Sequence, residues 1–229
     1  LNSAAVFRKR SDGSLPWYSR WLFIPFFLGT HLFNVVARRF DSVPAIQRIS
    51  GDLYLGARLI ESDLPQLASE GITAVLDVTA EFSALEWATH NDGIQYLNIP
   101  VLDHAPPTEA QLIQAVKWLH AQQAQQKKIL VHCALGRGRS VLILAAFLLS
   151  RQTDRSAERA VTLIKEVRRT ANLNTRQLAA LRNFAANYDN NMQIKAWLIA
   201  NPVSGAGKWE SAEPDIIELL SPYMTLTVK

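Results

Sequence analysis

Apolar and polar positions change rhythm twice along the chain. Between residues 43 and 190, short unbroken apolar runs (DLYLG, ITAVLDV, IQYLNIPV and KKILVHC) alternate with longer stretches. In those stretches apolar residues recur every three or four positions. Short runs bounded by turn residues read as strands, and the longer periodic stretches read as helices. The pattern predicts strands within 52–56, 72–78, 94–101 and 127–133, and helices over 108–126, 139–150, 156–168 and 175–186. Ser156 and Thr175 stand where N-caps are expected. Strands alternating with helices imply an α/β domain, a largely parallel sheet flanked by helices.

Residues 1–42 follow another pattern. The seventeen positions between Arg20 and Arg38 carry no Asp, Glu, Lys or Arg, which is the lower limit for a helix that spans a bilayer. Pro25, Gly29, His31 and Asn34 interrupt the run. On a helical wheel Arg20, His31, Asn34 and Arg38 share one side, broken by Ile24 and Phe27. Such a helix can lie in a membrane interface, cross the bilayer, or pack as a core helix on the next domain. Trp17, Tyr18 and Trp21 suit an interface, and the segment is expected to be membrane-associated. Basic residues at both ends give no orientation, and the absence of a small-residue cleavage site argues against a signal peptide. Residues 194–229 read as strand, glycine turn, helix and second strand. One such unit cannot close a core, so the opening of a further domain, continuing past Lys229, is expected. The start at Leu1 rather than Met implies that residues precede it.

Composition narrows the function. Apolar residues make up 48% of the chain and charged residues 19%, as in a folded protein with a sizeable core. A net charge of +4 suits an anionic substrate or membrane surface and is too weak to argue for nucleic acid. The single cysteine excludes an internal disulfide framework and fits a reducing, cytoplasmic compartment. Five scattered histidines and that cysteine form no metal-ligand spacing, so no metal or other cofactor is expected.

The cysteine lies in VHCALGRGRS, between the most apolar predicted strand and an apolar helix. A loop from Cys133 to Arg139 can curl so that the backbone N–H groups of Ala134, Leu135, Gly136, Arg137 and Gly138 point inward. The helix N-terminus adds partial positive charge. Gly136 and Gly138 permit the positive φ angles such a loop needs. Arg139 can hold two phosphate oxygens with its planar fork, and its field would lower the thiol pKa and favour the nucleophilic thiolate. Ser140 can donate to that thiolate. Strand, Cys, five-residue glycine-containing spacer, Arg, Ser and apolar helix together outweigh the alternative of a small buried residue beside a turn.

HCALGRGRS resembles the signature loop of the cysteine-dependent protein tyrosine and dual-specificity phosphatases, and the resemblance runs over about residues 51–188. It is closest to the lipid-directed group that includes phosphatidylglycerophosphate phosphatases, through LDVTAEFSAL, IPVLDHAPPTEAQLIQAV and LNTRQLAALRNF. That group often has a lysine after the cysteine where this chain has Ala134, a loss of charge for which Arg137 could compensate. The resemblance implies a phosphomonoester substrate, a cysteinyl-phosphate intermediate and a general acid in the loop after the third strand. Asp103 is the candidate, thirty residues before Cys133 and followed by Pro106 and Pro107. Asp77 and Asp92 are weaker rivals. His132 reads as a residue that fixes the loop backbone. Arg168, Arg169 and Arg176 could approach an acidic headgroup or form a solvated basic face.

WLIANPVSGAGKW resembles the first strand and glycine loop of the diacylglycerol kinase catalytic domain, through Asn201, Pro202, Ser204 and Gly205. This implies a parent protein that joins a phosphatase to a lipid kinase. Three function classes therefore stand: a lipid phosphomonoesterase at a membrane, a phosphatase of phosphoproteins or soluble phosphates, and a silent phosphate-binding module. Intact Cys133, Arg139 and Asp103 argue against the third. The apolar N-terminal segment and the kinase-like tail favour the first over the second.

Overall fold

Lys128–His132 (β5) lies at the centre of a five-stranded sheet in the computed structural model, which describes residues 4–10, 12–84, 93–151, 156–188, 194–198 and 224–228. The other strands are Ile46–Ser50 (β1), Leu53–Gly56 (β2), Ile72–Asp77 (β3) and Gln95–Asn98 (β4), in the order β1-β2-β5-β3-β4. Every pair is parallel except β1–β2. The three strands β2, β5 and β3 are almost wholly buried, which is why they read as continuous apolar runs rather than as alternation. The unpredicted β1 is an edge strand of sequence IQRIS, half polar because one side faces solvent.

Helices are Trp17–Leu22 (α1), Ile24–Arg39 (α2), Leu64–Glu70 (α3), Glu109–Ala124 (α4), Arg139–Leu149 (α5), Ala157–Val167 (α6) and Thr175–Ala186 (α7). Tyr54, Val75 and Leu130 share one face of the sheet and cluster with Leu67 of α3. Both α4 and α5 pack on β5, and α5 also packs on β2, α6 and α7. From Val141 to Phe147 α5 has no exposed residue, so its helical period is masked by uniform burial. Thr108 caps α4 and Ser156 caps α6. The expected cap at Thr175 shifts by one residue: Asn174 Oδ1 accepts from the Gln177 N–H at 2.9 Å and Gln177 Oε1 accepts from the Asn174 N–H at 3.2 Å. This reciprocal capping box needs the amide side chains of Asn174 and Gln177.

The N-terminal segment belongs to the same compact unit, residues 1–186. Phe7 and Leu15 are buried with Ala80, and Phe23, Phe27 and Leu102 pack against them. No helix among the described residues is long and apolar enough to cross a membrane. The side of α2 that carries Asn34 and Arg38 is the one turned to the domain. Asn34 is buried, and Arg38 donates to the Arg58 carbonyl at 2.7 Å and to Asp63 at 2.6 Å. Phe27 interrupts that polar stripe on the wheel because it is part of the packed face.

Residues 187–229 form a second unit. In it Ile194–Leu198 (β6) and Met224–Val228 (β7) pair in parallel, in register from Ile194 opposite Met224. The expected glycine turn and helix lie outside the described residues.

Candidate active site

The chain leaves β5 at His132 and enters α5 at Arg139, and between them the candidate nucleophile Cys133 is followed by five loop residues. Gly136 sits at φ 67°, and a Cβ there would lie 2.5 Å from the Gly56 carbonyl oxygen, so no other residue fits without moving β2. Arg168, fully buried, ties the loop down from behind. It donates to the carbonyls of Gly136 (2.9 Å), Leu135 (3.1 Å) and Pro44 (2.9 Å). With the carbonyls drawn outward, amide hydrogens are left for the interior, and those of Gly136 and Ser140 reach the sulfur. Arg168 is thus neither a headgroup contact nor part of a solvated face, whereas Arg169 and Arg176 are exposed.

Burial pushes the Cys133 thiol up, but the Arg139 charge, the Ser140 hydroxyl and the loop amides outweigh it. The net shift is below the ordinary thiol value. Ser140 Oγ donates to Sγ at 3.2 Å. The loop therefore holds a thiolate more readily than a free cysteine does.

Arg139 is only 1% exposed. Its two Nη groups bind both oxygens of Glu81, at 2.9 and 2.7 Å, and Nη1 also donates to the Val101 carbonyl at 2.7 Å. Nη2 lies 3.1 Å from Asp103 Oδ1, and Nε has no partner. Glu81 occupies the Nη1–Nη2 fork, so a phosphate would take the Nε–H and the Nη2–H now facing Asp103. Glu81 entered the sequence reading only as part of LDVTAEFSAL; nothing local in the sequence pairs it with Arg139.

Asp103 opens the exposed loop after β4, with its side chain 61% exposed. His104 stands at φ 59°. The loop is pinned by the start of α7: Asn174 donates to the His104 carbonyl at 2.8 Å and Gln177 to that of Ala105 at 3.3 Å. Asp103 thus faces Cys133 and Arg139 across one pocket of about 730 Å³, lined also by Ala134, Leu135, Arg137 and Gly138. Gly136 and Ser140 are buried and do not line the pocket. Arg137 spends its Nη2 on Asp41 at 3.0 Å, which weakens the case for it as a substitute for the absent lysine.

The rival acid Asp77 is excluded by burial. Its carboxylate takes Lys9 Nζ at 2.6 Å, Tyr96 Oη at 2.8 Å, and the Thr79 amide and hydroxyl at 2.8 and 2.7 Å. Burial raises its pKa, yet the charges of Lys9 and His132 and these donors hold it well below the usual carboxylate range. His132 is buried, which lowers its pKa. Its Nδ1 lies 3.4 Å from the Cys133 carbonyl and its Nε2 4.0 Å from Asp77, consistent with a backbone-fixing role. Asp92 lies outside the described residues. Lys9 was invisible to sequence reading, because it sits in a basic run, RKR, that looks solvated.

Comparison with known proteins agrees with this geometry. The dual specificity phosphatase catalytic domain matches residues 53–187. The phosphatidylglycerophosphate phosphatase PTPMT1 of Arabidopsis thaliana is 30% identical over 155 residues, 66% of this chain and 44% of that protein. Dual specificity protein phosphatase 12 of Homo sapiens is 31% identical over 123 residues, 53% of this chain and 36% of that one. The chain therefore spans less than half the length of either relative. Among solved structures, PTPMT1 in complex with PI(5)P superposes with a TM-score of 0.59 at 24% identity, over 64% of this chain and 98% of that one. Human DUSP28 does so with 0.57 at 24% identity, over 65% and 98%. With loop, clamp and domain match in agreement, the chain belongs to the dual specificity phosphatase catalytic-domain family, whose members are cysteine-dependent phosphatases.

Proposed function

We propose that the protein hydrolyses a phosphomonoester, of phospholipid type and at a membrane surface, through a cysteinyl-phosphate intermediate. The observation that carries this reading is the shared pocket. An activated Cys133, the unpartnered Nε–H of Arg139, its Nη2–H facing Asp103, and the exposed carboxyl of Asp103 meet there, beside an apolar wall of Phe7, Phe26, Phe33, Phe82 and Leu102. In the first step the thiolate forms an S–P bond as the P–O bond to the leaving group breaks, and Asp103 gives its proton to the departing oxygen. In the second, water attacks phosphorus, Asp103 takes its proton, the S–P bond breaks, and thiolate and inorganic phosphate are released. The loop amides and Arg139 hold the equatorial oxygens throughout. A reducing compartment keeps the thiol available. The likeness to the Arabidopsis relative, named a phosphatidylglycerophosphate phosphatase, supports a lipid substrate. The parallel pair β6–β7 is compatible with the start of a lipid-kinase unit.

Two measurements test this. Phosphate release is compared for phosphatidylglycerophosphate, phosphatidate and phosphoinositides against phosphotyrosine and phosphoserine peptides. At least one lipid is expected to exceed every peptide in kcat/KM; peptides turned over far better than all lipids would favour the protein-phosphatase alternative instead. Asp103→Asn is expected to lose about 10²–10³-fold on an alkyl phosphate and much less on nitrophenyl phosphate, whose leaving group needs no proton. Equal losses on both would remove Asp103 from the acid role.

A further inference from the structure

The outer surface of α2 is unlike that of a helix resting in water. Leu28, Leu32 and Phe33 are 66%, 65% and 63% exposed, and Val35, Val36 and Phe40 are exposed beside them. On α1, Trp17 and Trp21 are more than 70% exposed. Contiguous apolar surface of this extent is unusual on a soluble domain. The helix is held to the domain by Arg38 and by Phe27 packed on Phe7 and Leu15, so the exposed face is the one turned away from that contact.

The same helix also forms one wall of the catalytic pocket. Phe26, Thr30, Phe33 and Asn34 line it opposite the Cys133 loop. Asn34 is 8% exposed, and its Oδ1 has no hydrogen-bond partner in the protein. From floor to rim the pocket therefore offers an anion-binding loop, one unpartnered buried acceptor, and phenyl rings that run onto the open apolar face. A ligand that satisfies all three has a phosphate, a hydroxyl-bearing head and an apolar body. No charged side chain lies between positions 21 and 37, whereas Arg8, Arg10 and Arg39, all exposed, flank the patch. Aromatic and aliphatic groups bordered by cations match an anionic bilayer surface.

We infer that α2 is the lipid-side wall of the catalytic pocket. Its outer face enters the surface of an anionic bilayer, and Phe26 and Phe33 receive the glycerol-acyl part of a phospholipid whose phosphate reaches Cys133. This rests on the lipid reading above and adds the element that selects for it. Asn34 and Arg38 face the domain rather than water, so the helix does not float independently in the interface. It carries the pocket mouth there with it.

The test uses the full chain and phosphatidylglycerophosphate in two forms: long-chain lipid in phosphatidylcholine–phosphatidylglycerol vesicles, and monomeric short-chain lipid. Leu32→Glu and Val36→Glu, both at exposed sites, are expected to lower the vesicle-to-monomer ratio of kcat/KM by about tenfold or more and to reduce co-sedimentation with vesicles. The same charge at exposed Leu163 on α6 should move neither. With monomeric lipids, wild-type kcat/KM should rise with acyl length by up to about fourfold per buried methylene, and Phe33→Ser should flatten that rise. If the wild type prefers vesicle lipid while the α2 variants keep both ratio and sedimentation, the role of α2 is wrong and the lipid reading stands. If the wild type turns over phosphopeptides and no lipid, both fall.

Discussion

Cys133→Ser is expected to reduce phosphate release by on the order of 10⁵-fold or more while leaving the fold and phosphate binding in place. The substitution removes one atom's chemistry and almost no volume. The Arg139 charge, the Ser140 hydroxyl and the two loop amides bring a thiol below its ordinary pKa, but the same field cannot ionise an alcohol at neutral pH. The variant therefore lacks the nucleophile. The groups that hold the anion are untouched: Arg139 stays fastened to Glu81, and Arg168 stays on the loop carbonyls. Inorganic phosphate binding, measured by calorimetry, should persist within a few-fold of wild type. Turnover within tenfold of wild type on any phosphomonoester would rule out Cys133 as the nucleophile.

Lys9→Met is expected to cost about 3–5 kcal/mol of stability, the range for a buried ion pair that loses one partner. Lys9 Nζ is fully buried and binds Asp77 at 2.6 Å, the Thr79 carbonyl at 2.9 Å and the Thr79 hydroxyl at 3.1 Å. Without it, burial acts on the Asp77 carboxylate unopposed by its principal cation. Asp77 lies opposite His132 in the β3–β5 register, so the damage falls next to the catalytic loop. The pH dependence follows from the sign of the shift. Asp77 has a native pKa below its unfolded value, so its contribution is complete above about pH 4 and is lost as pH falls toward the native pKa. In the variant Asp77 accepts a proton at higher pH, and the stability gap to wild type should narrow as pH falls from 7 toward 4. Denaturant titrations at several pH values measure it. Adding Asp77→Asn should recover part of the loss. A variant as stable as wild type at pH 7 would show that Lys9 is a solvated surface residue.

Chemistry local to one stretch was legible before any coordinates. The strand–loop–helix of VHCALGRGRS, the buried parallel strands and most helix limits follow from periodicity, glycine placement and caps, each acting over a few residues. The small shift of a cap from Thr175 to Asn174 shows the limit of that reading, since either residue type can accept the hydrogen bond. The edge strand IQRIS and the short α3 escaped because neither carries enough periodic residues to stand out.

What the sequence by itself determined is the reactive loop: nucleophile, spacer, arginine and serine lie within eight positions, so no distant segment has to supply them. Only the tertiary structure decided what Arg139, Lys9 and α2 face. Glu81 comes from 58 residues away to occupy the arginine fork, and Asp77 comes from 68 residues away to bury Lys9. The wheel of α2 could not distinguish a polar stripe turned to water from one turned to protein, because amphipathicity records a difference between faces and not which partner each face meets. Packing resolved it: Arg38 found polar partners inside the domain, Asn34 was buried against the pocket, and the apolar side was left at the pocket mouth.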